Sequence, residues 1–341
     1  MSTSTVIGTG SYLPRRVLSS GELARRVGVE ENWIVERTGI RERRVAADEE
    51  ATSDLATRAA RRALRTARLD PADVDLIVLA TSTPDRPMPA TASTVQANLG
   101  ARQAVAFDVD AVCSGFVYAL VVAHSMLNSE GWARTALVIG ADTYSRVLDY
   151  TDRRTAVLFG DGAGAVVLGR ETGGGSGIRA TTLGTDGTLA DLVQIPAGGS
   201  RRPASAQTVE AGDHYFAMRG GDVRRLANQV FPALVGQLLK AASLDLDQVD
   251  LIAAHQANGT MLTDWSRDLG LRPGVLHRTV ERYGNTGAAS VPVTLDDAVR
   301  TGRLGAAATL LMVAFGGGMT WGGVALDWSA DPAVPRSNCV R

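Results

Sequence analysis

The chain repeats itself. Residues 69–77 read LDPADVDLI and residues 244–252 read LDLDQVDLI. Each copy follows a stretch with helical apolar spacing, 52–67 in the first case and 230–242 in the second. Each opens an apolar run, VDLIVLATS or VDLIAAHQ, and a further apolar run follows in both halves, TALVIGAD around Leu137 and TLLMVAFGG around Leu311. Continuous apolar runs bounded by turn residues fit strands buried on both faces. A repeat on this scale predicts two α/β halves of one design, roughly 1–175 and 176–341. The polar, glycine-rich stretch 171–177 (ETGGGSG) is the predicted junction.

Helix and strand candidates alternate in each half, so mostly parallel sheets with covering helices are expected. A duplicated α/β chain with a lone cysteine near the middle of its first half fits a thiolase-like fold, an αβαβα sandwich whose two sheets enclose a helix layer. The segment SGFVYALVVAHSML, apolar nearly all round, is the candidate for one inner helix.

Composition narrows the function classes. Among 341 residues the formal net charge is −1, so no global basic footprint for nucleic acid exists. Lys240 is the sole lysine among 35 basic residues, a bias that suits GC-rich coding better than any binding role. Two cysteines, Cys113 and Cys339, make neither a disulfide framework nor a metal-site spacing. The start lacks the pattern of a signal peptide, and the longest apolar stretch, 111–127, is interrupted by Ser114 and His124 and falls short of a membrane span. A cytoplasmic protein with a free Cys113 thiol is expected.

Three residues fit one reaction. Cys113 lies where an apolar strand candidate, 104–109, turns into the apolar helix, and a helix N-terminus favours a thiolate. Alone, it reads more readily as a buried structural thiol. His255 ends the matching strand of the second half, at the kind of strand end where α/β proteins place chemistry. Asn285, in RYGNTGAAS, mirrors Cys113 in the second half, just ahead of a helix beginning near Ala288. Alone, it reads as a turn asparagine. Together a thiol, an imidazole and an amide donor can carry an acyl group and stabilise an enolate. A cysteine and a histidine alone would also suit a protease-like site, but the symmetric placement argues against that.

At these residues the chain resembles β-ketoacyl-acyl carrier protein synthase III, from about Val6 to Asp327. The motifs are ENWIVERTGIRERR at 31–44, AVCSGF around Cys113, FGDGAGA from Phe159, HQAN from His255, YGNTGAASVP from Tyr283 and AFGGGMTWG from Ala314. The resemblance implies a homodimeric acyltransferase with a Cys113–His255–Asn285 triad and no metal or redox cofactor. It implies that acyl-CoA loads Cys113 and that malonyl-acyl carrier protein then condenses with decarboxylation, starting a fatty acid or polyketide chain. An oxyanion hole from the N–H groups of Cys113 and Gly317 is expected. Coenzyme A contacts carry over to Trp33, Arg37, Thr38, Arg153, Gly220 and Asn258, and acyl-pocket positions to Met88, Phe159 and Phe315. FGDGAGA lacks a P-loop ending and is expected to make a tight buried turn before the strand AVVLG.

The chain departs from the family pattern at the portal. Gly259 and Thr260 stand where an apolar residue and a carrier-docking arginine are usual, Ala254 replaces a proline, and Gly221 replaces an asparagine. Arg224 and Arg225 remain as the expected basic docking positions. Met88 stands where the family places a gating phenylalanine contributed across the dimer interface, and a flexible methionine suits larger or irregular acyl groups. The tail, 328–341, extends past the family's usual end and holds Cys339. Two other functions are compatible with parts of this pattern. One is an acyltransferase that passes the group from Cys113 to an alcohol, amine or thiol without decarboxylation; the presence of Asn285 argues against it. The other is a non-catalytic partner subunit, which would lack the nucleophile.

Overall fold

The computed structural model describes residues 3–129, 131–171 and 177–329. Positions 172–176 of the expected junction, and Cys339 with the rest of the tail beyond Ser329, lie outside the described residues.

Two large sheets form, one from each half, beside two small two-stranded ones. The first runs in the order Thr3–Tyr12, Gly162–Glu171, Thr135–Asp142, Leu76–Ala80, Val105–Val109. The second runs Leu251–Ala254, Ala307–Gly316, Thr320–Ser329, Ile178–Thr185. The repeated segments become equivalent strands. Leu76–Ala80 pairs in parallel with Thr135–Asp142, and Leu251–Ala254 pairs in parallel with Ala307–Gly316. Every residue of Leu76–Ala80 and Leu251–Ala254 is buried, as covered sheets demand.

Two helices fill the space between the sheets. Gly115–Asn128 and Ser290–Arg300 share one apolar cluster, in which Phe116, Leu120, Val291 and Leu295 meet Val78 and Val138 of one sheet and Leu310 and Met312 of the other. Outer helices close the sandwich. Thr52–Ala67 packs its alanine-rich face on the first sheet, and Gly220–Ala242 with Gly259–Asp268 covers the second. The result is five layers, αβαβα.

The two large sheets are mixed rather than mostly parallel: Gly162–Glu171 runs antiparallel to both its neighbours, as does Thr320–Ser329. Two local readings change as well. The helix expected over 230–242 begins ten residues earlier, at Gly220, because its first turns are too polar to show an apolar stripe, and Pro232 sits within it. The FGDGAGA segment is only partly a turn, because the strand already starts at Gly162. Its glycines answer to a close approach instead. A Cβ on Gly164 would lie 2.6 Å from the backbone nitrogen of Val293, in the inner helix that crosses the strand.

Candidate active site

Cys113 sits in a short 3-10 turn, Val112–Ser114, that leads directly into the inner helix Gly115–Asn128. The turn is forced: Val112 adopts φ 47°, in the left-handed region that β-branched residues avoid. Cys113 is 8% exposed. Burial, and then the charge of Asp142, push its pKa up to about 12.

His255 directly follows the strand Leu251–Ala254, and its N–H donates to the carbonyl of Val313 at 2.8 Å. Its ring stands edge-on to Phe315, centroids 5.3 Å apart. Nδ1 is buried with no hydrogen-bond partner among the described residues. Burial alone pushes the imidazole down to about 3, so it is neutral near pH 7. Gln256 fixes the loop beyond it, with Oε1 accepting from the N–H groups of Thr279 and Val280 at 2.9 and 3.1 Å.

Asn285 is held by the first half of the chain. Its N–H donates to the carbonyl of Leu158, and its own carbonyl accepts from the N–H of Gly160, both at 2.9 Å. Its side-chain Oδ1 accepts from the N–H of Gly287 at 2.9 Å. The amide oxygen is thus engaged, which leaves the NH2 group as the donor available to a ligand.

Cys113, His255 and Asn285 line one cavity of about 350 Å³. Phe159, Phe315 and Gly317 line it as well. Trp33, Arg37, Thr38, Arg153, Gly220 and Asn258 also line it. The Trp33 ring lies between two guanidinium groups, Arg37 at 4.9 Å and Arg153 at 5.6 Å from its centroid. Asn258 caps the helix Gly259–Asp268, its Oδ1 accepting from the N–H of Thr260 at 2.9 Å. Arg224 lines the cavity but is engaged by Asp264 at 2.8 Å.

Two expected site residues are not in this cavity. Arg225 is paired with Asp222. Met88 is 80% exposed, in the loop ahead of the helix Thr91–Leu99. Other wall residues gave no motif in the sequence: Phe216, Val193, Met218 and Met261 reach the cavity from scattered segments. Tyr144 and Asp142 also went unremarked, although a carboxylate closing the apolar run TALVIGAD is the kind of signal that marks a buried polar group.

Two duplicated sheets with a buried cysteine, histidine and asparagine converging between them define a thiolase-fold condensing acyltransferase. Family models agree: 3-oxoacyl-[acyl-carrier-protein] synthase III matches residues 107–187, and the C-terminal model of the same name matches 239–328. The acetoacetyl CoA synthase NphT7 of Streptomyces sp. (strain CL190) is 50% identical over 325 residues, 95% of this chain and 98% of that protein. A beta-ketoacyl-[acyl-carrier-protein] synthase III of Rhizorhabdus wittichii is also 50% identical, over 96% of this chain and 100% of its own length. The crystal structure of 3-oxoacyl-[acyl-carrier-protein] synthase III from Aquifex aeolicus superposes with a TM-score of 0.87 at 40% identity, covering 95% of this chain and 100% of that one. The chain belongs to the 3-oxoacyl-[acyl-carrier-protein] synthase III family. Among the described residues no helix is long and apolar enough to cross a membrane.

Proposed function

We propose that the chain catalyses a two-step condensation at Cys113. The observation that carries this is the convergence of Cys113, His255 and Asn285 on a cavity that also contains the Arg37–Trp33–Arg153 stack. Flat aromatic and guanidinium faces suit the adenine of coenzyme A. Arg37, Arg153, Thr38, Asn258 and Gly220 would hold the rest of that arm.

In the first step the Cys113 sulfur attacks the thioester carbonyl of an acyl-CoA, and coenzyme A leaves. The backbone N–H groups of Cys113 and Gly317 hold the oxyanion, each donor contributing about 3–4 kcal/mol. Close packing of the glycine turn supports this: a Cβ on Gly316 would lie 2.7 Å from the Cys113 nitrogen. In the second step a malonyl thioester enters. The neutral imidazole of His255 and the NH2 of Asn285 donate to its carbonyl. Carbon dioxide departs, the electron pair becomes the enolate, and its carbon attacks acyl-Cys113. A carbon–carbon bond forms and the Cys113 sulfur is released. Phe159 and Phe315 wall the acyl chain.

The natural acceptor is malonyl-acyl carrier protein in the reading that the family supports. A second reading, malonyl-CoA, is favoured by the portal itself. Thr260 carries no charge there, Arg224 is neutralised by Asp264, and Arg225 by Asp222. That weakens the attraction for an acidic carrier at these three positions. The relative NphT7 is named an acetoacetyl CoA synthase. A homodimer is part of the proposal. The strand Val105–Val109 ends its sheet with an unpaired edge, Val105 is 49% exposed, and Phe107 and Val109 are only partly covered. Met88 would reach the partner's acyl pocket from this side. The test is to mix protein, acetyl-CoA and either malonyl donor. Mass spectrometry should find an acyl adduct on Cys113, followed by release of carbon dioxide. Adduct formation with transfer to another acceptor and no carbon dioxide would overturn condensation. Sedimentation showing only monomer at micromolar concentration would overturn the dimer.

A further inference from the structure

Two turns from opposite halves of the chain meet beside Cys113, and one hydroxyl joins them. The turn Val112–Ser114 lies against the glycine turn 316–318 so closely that a Cβ on Gly316 would lie 2.7 Å from the Cys113 nitrogen and 2.8 Å from the Ser114 nitrogen. Thr320 opens the strand Thr320–Ser329 just past the glycine turn, and it is buried. Its Oγ1 lies 2.9 Å from the Gly317 carbonyl, 3.1 Å from the Ala111 carbonyl and 2.7 Å from Ser114 Oγ. The first partner belongs to the glycine turn, and the other two to the turn that carries the nucleophile. Neither hydroxyl has a part in the two steps above.

The protons can be placed. Each hydroxyl has one. The Ala111 carbonyl already accepts from the Ser114 N–H at 3.1 Å, so it does not depend on either of them. Ser114, fully buried, is then free to donate to Thr320 Oγ1, and Thr320 donates to the Gly317 carbonyl. Every proton of the cluster finds an acceptor, and the two turns are tied by two consecutive bonds.

We propose that Thr320 is a positioning residue for the oxyanion: with Ser114 it ties the glycine turn to the nucleophile turn, and so keeps the N–H of Gly317 in register with that of Cys113.

Both turns need such a tie. Val112 adopts φ 47°, a conformation that a β-branched residue holds only where its surroundings impose it. The peptide that enters Val112 carries the Ala111 carbonyl, on which the hydroxyls of Ser114 and Thr320 converge at 2.9 and 3.1 Å. The glycine turn has no side chains of its own with which to fix its peptides. Among the described residues, neither the Cys113 N–H nor the Gly317 N–H donates to a backbone carbonyl, so both remain for an oxyanion. A separate anchor keeps the hairpin on its sheet: the Met319 N–H donates to the Asp186 carbonyl at 3.0 Å, and the Asp186 N–H to the Met319 carbonyl at 2.8 Å. Loss of the Thr320 hydroxyl should therefore shift a donor rather than unfold the turn.

The inference rests on the reading that Cys113 is acylated and that these two N–H groups hold the oxyanion, and the two fail differently. A wild-type protein that forms no acyl adduct on Cys113 ends that reading, and the inference with it, before any variant is made. With the adduct established, its rate of formation from acetyl-CoA is followed by quenched-flow mass spectrometry in the wild type, Thr320→Val, Thr320→Ser and Ser114→Ala. Valine keeps the size and branching of threonine, and thermal melting checks that the variant folds. A misplaced oxyanion donor costs up to about 10²-fold, so loading at saturating acetyl-CoA should fall by about 10- to 100-fold in Thr320→Val. The acetyl-CoA concentration that gives half the maximal rate should stay within about twofold of the wild type's. Thr320→Ser keeps the hydroxyl and should load within about threefold of the wild type. Ser114→Ala removes the other end of the tie and should load about three- to tenfold more slowly. It carries the test alone should Thr320→Val not fold, and loading at the wild-type rate then overturns the tie. Loading by folded Thr320→Val at the wild-type rate overturns the inference. So does an equal loss in Thr320→Ser, which would assign the effect to packing of the methyl group, or a loss confined to half-saturation, which would assign it to binding.

Discussion

Phe159 and Asn285 sit side by side in an isolated parallel bridge, one residue from each half of the chain. The bridge is closed by two bonds of 2.9 Å, from the Asn285 N–H to the Leu158 carbonyl and from the Gly160 N–H to the Asn285 carbonyl. The asparagine therefore takes its position from a loop more than a third of the chain away in sequence. Gly160 has no room for a side chain, since a Cβ there would overlap the Tyr283 carbonyl oxygen and lie 2.9 Å from Arg43 Cβ. Gly160→Ala should displace Asn285 without touching any reacting atom. Acyl loading of Cys113 should survive within a few-fold, while condensation should fall by about 10²-fold. Asn285→Ala should do the same. Equal losses in loading and condensation would show that the bridge supports the whole site rather than the enolate donor.

Acid sensitivity should trace to His255. Its folded-state pKa, lowered by burial to about 3, lies below the unfolded value of 6.5. The unfolded chain binds the extra proton, so stability is full above pH 6.5 and is lost as pH falls from 6.5 towards 3. From pH 7 to pH 5 this amounts to about 2 kcal/mol. Asp142 acts in the opposite sense. Its pKa is raised by burial to about 6, so between pH 6 and 3.8 its protonation favours the folded chain and offsets part of the loss. His255→Gln removes only the first effect. The change in urea midpoint from pH 7 to pH 5 should therefore be more favourable to the folded chain in His255→Gln than in the wild type.

The stack at Trp33 should govern acyl-CoA affinity alone. Trp33→Ala removes the face on which Arg37 and Arg153 lie, at 4.9 and 5.6 Å. A loss of about 1–2 kcal/mol is in keeping with removing one aromatic face from a stacked base. That corresponds to roughly a tenfold rise in KM for acyl-CoA, with little change in kcat. Stopped-flow measurement of acyl-Cys113 formation against acyl-CoA concentration separates the two.

Gly287 should tolerate no side chain. It adopts φ 58°, and a Cβ would overlap Asp142 Oδ2 and Tyr144 Cε2. The alanine variant should lose about 2–4 kcal/mol, from the strained backbone and the overpacked carboxylate together. Thermal melting reads this directly. A melting temperature within a degree of the wild type's would mean that the Asp142 site relaxes freely.

Much of the architecture was legible in the chain itself. The repeated LDxxxVDLI segments and their apolar successors announced two equivalent sheets, because strands buried on both faces leave long apolar runs. The inner helix declared itself through SGFVYALVVAHSML, a run with no polar face to offer to water. Cys113, His255 and Asn285 stood out through their places at the ends of such elements and through short motifs. Less was legible where neighbours, not local spacing, decide. The polar start of the helix at Gly220 hid its true length, and the glycines from Gly162 looked like a turn because nothing local records that the inner helix crosses them.

The sequence determined the nucleophile candidate, its two companions and the sandwich that brings strand ends together, since periodicity and repeat length are local properties of the chain. Only the tertiary structure decided what the sulfur meets. The nearby charge of Asp142 and the neutrality of His255 arise from burial and from contacts between segments far apart in the chain. Those depend on distance in space, which residue order alone does not encode.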